Sequence, residues 1–465
     1  MNYDYDILII GSGPGGYVAA IRASQLGQKV AIVEKGSIGG VCLNIGCIPS
    51  KAIIHQAEIY RNRSKLATMG VGVDDSGFRY ENVFNASRKA ADTLSKGVAF
   101  LLKKNKIDVI AGIARIVSAH EVAVNAATAD ERKISARAII VATGSRPKII
   151  PGLEFDGCRI LSSDNALMLK ELPRRALIVG GGVIGIEFSH ILNAFGTEAH
   201  IVEIAEKILP FDDTETTAVL TRSFTKRGIK IYTSSKILSH QINGSSIDAI
   251  IESADGKQTN ISVDKIFVMA GRTPNTEDIG LRELGVTLTN GGYVETGDYY
   301  QTNIPSIYAI GDIAASSPQL AHVASAAGEI AAEHIAGHES HRKRVDASAV
   351  PAVVYCEPQI ASFGLTEERA QAQNIPFVKA KFPYMGCGKA VAVDAAEGIV
   401  KIIADPATQK ILGAHIAGIG AAELIHELLL ASNAEQIAKT IHAHPTLSET
   451  VMEAARAVGG WAIHI

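Results

Sequence analysis

Aromatic residues are scarce in this sequence: there is one tryptophan, and Phe, Trp and Tyr together make up 5%. Single-stranded nucleic acid is held by stacking bases on aromatic side chains, and so few rings argue against that use. An excess of positive charge is missing too. Lys and Arg number 45 against 48 Asp and Glu, a net charge of −3 with no run of one sign. A polyphosphate backbone finds no basic footprint here, and no nucleic-acid partner is expected. No apolar run approaches the ~18 residues that span a bilayer, so no membrane is expected either. The start, MNYDYDILIIGSG, carries aspartates where a secretion signal needs positive charge, and its apolar run of four residues suits a strand.

Cysteine is the last scarcity. Five are present, an odd count, and Cys158, Cys356 and Cys387 are scattered, which is no secreted disulfide framework. These absences predict a cytoplasmic protein, in which two thiols set close together mean metal binding or redox work. Cys42 and Cys47, within GGVCLNIGCIPSK at 39–51, are such a pair.

What is present suffices for large cores: 47% of the 465 residues are hydrophobic, and the length predicts about three domains. Residues 7–10 read as a short buried strand running into Gly11-Ser12-Gly13-Pro14-Gly15-Gly16, a G-x-G-x-x-G turn. Pro14 suits the first turn of a helix that stops at Gly27, and a second strand at 29–33 ends at Glu34. Gly11, Gly13 and Gly16 let the backbone approach a pyrophosphate at a helix N-terminus, and Glu34 can accept from ribose hydroxyls.

The same unit recurs. A strand at 176–179 enters Gly180-Gly181-Gly182-Val183-Ile184-Gly185, the helix stops at Gly196, and a strand at 198–202 ends at Glu203. From Gly11 to Gly27 and from Gly180 to Gly196 the interval is 16; from Gly11 to Glu34 and from Gly180 to Glu203 it is 23. Equal spacing in both copies predicts a repeated fold with two dinucleotide sites. A carboxylate at Glu203, with no arginine in 203–207, favours the free 2′-hydroxyl of NAD over the 2′-phosphate of NADP. Two further apolar strands, ending at Ala142-Thr143-Gly144 and at Gly311-Asp312, point to the same sheet edges. Asp312 reads equally as a ligand contact or as a cap for the next turn.

For Cys42 and Cys47 the residues allow several uses. Buried small hydrophobes and half a zinc site are two, the latter with His55 as a lone further ligand. A structural disulfide closing so short a loop gains little. A redox-active pair explains more, because Cys47 opens a helix with Pro49 in its first turn, and the dipole and Lys51 stabilise a thiolate. Near the C-terminus, His442 and His444 alternate as metal ligands would. Thr446-Leu447-Ser448-Glu449 also reads as a capping box for a helix over 450–458.

Both fingerprints, the 39–51 stretch, Ala142-Thr143-Gly144, Ala270-Gly271-Arg272-Thr273-Pro274-Asn275, Gly311-Asp312 and the 442–449 segment HAHPTLSE carry a resemblance. Together they are similar to the flavin-dependent pyridine nucleotide disulfide oxidoreductases, above all to the members that oxidise dihydrolipoamide. It spans essentially the whole chain. The resemblance implies an α/β fold with two Rossmann-like dinucleotide-binding domains plus a C-terminal α+β dimerisation domain. The expected order is an FAD-binding region at 1–146, an NAD-binding region at 147–272, a segment completing the FAD site at 273–345, and an interface domain at 346–465. Within that order, 337–344 reads as a polar surface connection.

It further implies FAD contacts at Gly11, Gly13, Gly16, Glu34, Lys51, Ala114, Thr143, Gly144, Asp312 and Ala321. NAD falls to Gly180, Gly182, Gly185, Glu203 and Gly271. The expected catalytic set is Cys42, Cys47, Lys51 with its partner Glu187, and His444 held by Glu449, with no metal and with His442 structural. Cys42 exchanges with the dithiol, Cys47 meets the flavin, and His444 serves as base across a homodimer interface. The implied activity is oxidation of dihydrolipoamide on the lipoyl domains of 2-oxoacid dehydrogenase or glycine cleavage complexes, with NAD+ as acceptor. Glutathione reductase-like members are the alternative. They prefer NADPH, commonly carry tyrosine at the Val183 position, and place arginines beyond the acid.

Overall fold

The computed structural model of the protein describes residues 2–125, 131–315, 317–338 and 342–465. Of the expected connection at 337–344, Glu339, Ser340 and His341 lie outside the described residues. Gly337 and His338 are exposed, as a polar surface connection should be.

The first sheet forms where the sequence runs continuously apolar. Ile7, Leu8 and Ile9 in the strand Tyr5–Ile10 are fully buried, as required when both faces of a parallel sheet are covered. Asp108–Ala111, Val30–Glu34, Tyr5–Ile10, Arg132–Val141 and Ile307–Ala309 lie side by side and parallel. The early part of Arg132–Val141 also pairs antiparallel with Glu121–Asn125, which pairs with Ile113–Ser118. The helix Pro14–Gln25 packs on Ala321–Ile335 so closely that a Cβ on Gly328 would come within 2.5 Å of the Gly15 carbonyl. Small residues set that distance, and it brings two helix N-termini to one end of the sheet.

The second repeat builds another parallel sheet in the order Lys230–Tyr232, Glu198–Val202, Arg175–Val179, Lys265–Val268, Ile160–Leu161. A three-stranded antiparallel sheet, Ser235–Asn243, Ser246–Ser253 and Gln258–Val263, is attached to it. Its mostly exposed first strand gives no clear period in the sequence. A ribbon of Ser145–Pro147 and Arg272–Pro274 joins the two repeats.

The C-terminal part is a five-stranded antiparallel sheet in the order Ala352–Val354, Ile360–Gly364, Ile411–Ala417, Ile399–Ala404, Val378–Pro383. The alternation expected at 351–355 is its edge strand, and Ala421–Leu430 and Ser448–Val458 are helices. Lys401, 1% exposed, fastens this sheet to the second repeat. Its Nζ lies 2.7 Å from Asp213 and 2.8 Å from both Glu215 and Glu367, so all three of its protons are taken. A buried ammonium is tolerable only in such company. Among the described residues no helix is long and apolar enough to cross a membrane.

Candidate active site

The two glycine turns have matching geometry. A Cβ on Gly16 would lie 1.9 Å from the Gly11 carbonyl oxygen, and one on Gly185 would lie 1.9 Å from that of Gly180. Only glycine permits those turns. At Gly13 and Gly182 the opposite holds: a Cβ would meet no atom within 4 Å, which leaves the room a pyrophosphate needs above the helix N-terminus. The acids match as well. Glu34 Oε2 accepts from the Ser12 amide at 2.8 Å and its hydroxyl at 2.7 Å, while Oε1 accepts from Gly36 at 2.8 Å. Glu203 accepts from Gly181 at 2.6 Å and from Ala205 at 2.7 Å. Each carboxylate is thereby held at its strand end with lone pairs left for a ribose. Both crevices fit a dinucleotide.

The other residues expected to meet the flavin lie on segments that adjoin the first crevice. Gly112, two residues before Ala114, donates to the Glu34 carbonyl at 3.0 Å. The Thr143 hydroxyl donates to the Asn275 carbonyl at 2.6 Å, and the Asn275 amide returns a bond to Thr143 at 3.0 Å. Ala321 opens the helix that abuts Gly15. The Asp312 carboxylate accepts from the hydroxyl of Ser145, a residue of the ribbon, at 2.5 Å, and among the described residues it shows no capping bond. Gly271 lies beside the second fingerprint, where a Cβ on Gly180 would approach Met269 O at 2.6 Å and Ala270 Cα at 3.2 Å.

The cysteine pair straddles a break between two helices, a detail the spacing does not reveal. Cys42 sits in Gly40–Ile45 and Cys47 is the first residue of Cys47–Ala67. Gly46 forms the break, and a Cβ there would lie 2.9 Å from the Val41 carbonyl. Both cysteines are free thiols, with the Cys42 thiol hydrogen bonded to the Cys47 sulfur. That bond, with Lys51 and the Cys47 amide, draws the Cys47 thiol below its ordinary range against burial and the Glu187 charge. The same bond, with burial, pushes Cys42 well up. Lys51 and the Cys47 amide both favour the charged form on the Cys47 side of the pair.

Lys51 Nζ contacts both Glu187 oxygens, at 3.0 and 2.9 Å. Glu187, buried in the helix Val183–Ala194, also accepts from the Tyr355 amide at 3.0 Å. Lys51 stands over the Tyr355 ring at 4.7 Å from its centroid. Tyr355 was not legible as part of the site, because nothing local marks a tyrosine just past an edge strand.

At the C-terminal end, His444 Nδ1 lies 3.0 Å from Glu449 Oε1. A carboxylate partner there makes Nδ1 the donor and leaves Nε2 as the basic nitrogen. Burial pushes the Glu449 carboxyl up, but the Thr446 N–H and His444 outweigh it, so Glu449 stays below its usual value. The expected capping box is only half formed. Glu449 Oε2 accepts from the Thr446 amide at 2.9 Å, while the Thr446 hydroxyl donates to the Ala443 carbonyl at 2.7 Å, and the helix starts at Ser448 instead of Thr450. Glu449 thus serves both as part of the cap and as the support for His444. His442 turns the other way, 2.6 Å from Glu427 and 2.9 Å from the Thr440 carbonyl, so the two histidines do not share a ligand.

His444 is 76% exposed in the side chain. Cys47–Ala67 has 21 residues and is therefore ~30 Å long, with the dithiol at its start. Near its far end Lys65 Nζ lies 3.8 Å from Asp394, which follows the short helix Gly388–Ala392. A Cβ on Gly388 would lie 3.9 Å from His444 Cε1. Among the described residues no hydrogen bond or ion pair joins His444 or Glu449 to Cys42, Cys47 or Lys51 of the same protomer. Beside His444, Ile441 is 97% exposed and Leu430 86%, an apolar face on the same surface.

Comparison with known proteins agrees with this geometry. Residues 5–328 match the model of the pyridine nucleotide-disulphide oxidoreductase family, and residues 350–455 match the dimerisation domain of that family. A dihydrolipoyl dehydrogenase of Bacillus subtilis is 42% identical, with all of both chains covered. Mitochondrial dihydrolipoyl dehydrogenase 2 of Arabidopsis thaliana is 41% identical over 99% of this chain and 92% of its own. The crystal structure of LpdA from Mycobacterium tuberculosis superposes with a TM-score of 0.89 at 27% identity, covering 97% of this chain and 99% of that one. Two matched nucleotide crevices, an acidified thiol beside a second thiol, and family models covering both halves of the chain lead to one statement: this chain belongs to the pyridine nucleotide-disulphide oxidoreductase family.

Proposed function

We propose that the protein is an FAD-dependent enzyme of the cytoplasm that oxidises dihydrolipoamide, carried on the lipoyl domains of a 2-oxoacid dehydrogenase or glycine cleavage complex, and reduces NAD+. FAD belongs at the first crevice, formed by 1–146 and 273–345, and NAD at the second, within 147–272. The domain at 346–465 makes a homodimer, in which each dithiol faces His444 of the partner subunit. The observation that carries this reading is the placement of Cys42 and Cys47 across a helix break, with Lys51 one turn into the second helix and held by Glu187. The dihydrolipoyl dehydrogenases that share about two-fifths of its residues support the substrate.

The chemistry follows from the residues. His444 Nε2 takes a proton from the first substrate thiol, since thiolates and not thiols attack disulfides. In the oxidised enzyme, where Cys42 and Cys47 are joined as a disulfide, that sulfur bonds to Cys42 as the Cys42–Cys47 bond breaks, and Cys47 leaves as the thiolate its surroundings favour. The second substrate sulfur then attacks the first, its proton passes to the departing Cys42, and the first proton stays on His444 until it is released to water. One disulfide is consumed and one formed. FAD, when bound, carries the electron pair from the dithiol to NAD+ as a hydride. Lys51, fixed by Glu187, keeps a positive charge beside Cys47 throughout.

The direct test is NAD+ reduction by dihydrolipoamide, set against NADPH oxidation by glutathione disulfide. The first reaction is expected to dominate; dominance of the second would install the glutathione reductase-like reading. Glu203→Ala and Glu203→Gln are expected to weaken NADH binding about 10- to 100-fold, the loss of a charge-assisted hydrogen bond. FAD retention stays unchanged. Fluorescence titration with NADH checks this, and equal loss of both nucleotides would show that the crevices are assigned the wrong way round.

A further inference from the structure

The ribbon between the two repeats carries a chain of side-chain hydrogen bonds that the chemistry above does not use. Arg272 Nε donates to the Ser145 hydroxyl oxygen at 2.7 Å, and its Nη2 donates to the Ser145 carbonyl at 2.7 Å. The Ser145 hydroxyl donates to Asp312 Oδ2 at 2.5 Å. Ser145 is buried, and its strand pairs with that of Arg272 through Ser145 opposite Pro274 and Pro147 opposite Arg272.

The direction of this chain is forced. A guanidinium has no acceptor, so the Ser145 oxygen must receive from Arg272, and its single proton can then go only to Asp312. One carboxylate oxygen of Asp312 is thereby taken and its plane set, which leaves Oδ1 to the ligand. We infer that Ser145 and Arg272 are positioning residues for FAD: they orient Asp312 toward the ribityl chain of the flavin. Arg272 directly follows Gly271 in sequence, but its side chain is spent on Ser145 in the first crevice. The inference rests on the reading of Asp312 as a flavin contact.

The test is a mutant cycle on the full-length protein, with FAD affinity measured by reconstitution of the apoprotein. Ser145→Ala and Arg272→Met are each expected to raise the FAD dissociation constant about tenfold, with NADH affinity and the thermal midpoint of the apoprotein unchanged. Asp312→Asn should raise it further. In the double variant Ser145→Ala/Asp312→Asn the penalty should equal that of Asp312→Asn alone, because Ser145 acts through that carboxylate. Wild-type FAD affinity in Ser145→Ala, or full additivity in the double variant, overturns the inference while leaving Asp312 as a flavin contact. If Asp312→Asn itself keeps wild-type affinity, the underlying assignment of Asp312 falls and the inference goes with it.

Discussion

Cys47→Ser protein is expected to bind FAD and to pass electrons from NADH to an artificial dye, while dihydrolipoamide oxidation falls below detection. Serine fits the space and keeps the helix start, but its oxygen forms no disulfide with Cys42. A substrate sulfur attacking Cys42 then has no leaving group. The charge of the pair is lost as well, because the Cys42 bond, Lys51 and the amide at position 47 acidify a thiol and not an alcohol. Residual turnover of dihydrolipoamide would mean that electrons enter without the pair. Before any substitution, the depressed Cys47 thiol can be followed by thiolate ultraviolet absorbance in the reduced apoprotein. A lowered value means that the thiolate is present above it and lost as pH falls through it. The protein should therefore hold one thiolate at a pH where an ordinary cysteine is protonated. Lys51→Met should move that transition to higher pH, since the lysine charge is one of its causes. A transition that stays in place would remove Lys51 from the account.

His444→Gln is expected to lower turnover of dihydrolipoamide by about 10²- to 10⁴-fold, the usual worth of a positioned base. Glutamine can still donate to Glu449 Oε1, so the loop and its helix cap persist, but it accepts no proton at neutral pH. FAD content and NADH–dye activity should match the wild type. The deficit should narrow as pH rises toward the ionisation of ordinary thiols near ~8.5, where the substrate supplies its own thiolate. Turnover ratios measured across pH check this. A deficit that stays constant with pH, or equal loss of dye activity, would remove His444 from the role of base. Because the proposed site pairs each dithiol with His444 of the partner subunit, inactive His444→Gln and Cys47→Ser subunits mixed into heterodimers should regain one working site.

The fold was legible where a single period dominated. Both β-α-β units lie where the glycine intervals put them, from Tyr5–Ile10 to Glu34 and from Arg175–Val179 to Glu203, because tight turns and continuous apolar strands are local demands. The short helix around Cys42 was not visible, since six residues around glycines have no period of their own. Nor was the sheet at 235–263, whose exposed first strand lacks an alternating face.

Chain spacing was enough to find two nucleotide turns and a pair of thiols at a helix start, because each is a short-range pattern, while the pairing of His444 with Glu449 came only with the family resemblance. Folding alone decided which charges meet. Glu187 reaches Tyr355 besides Lys51, the one partner the family resemblance had implied; Lys401 gathers three carboxylates, and Ser145 lies between Arg272 and Asp312. Those partners are far apart along the chain, and what selects them is the loss of water around charged and polar groups that must then satisfy one another. No residue carries that requirement in its immediate neighbours.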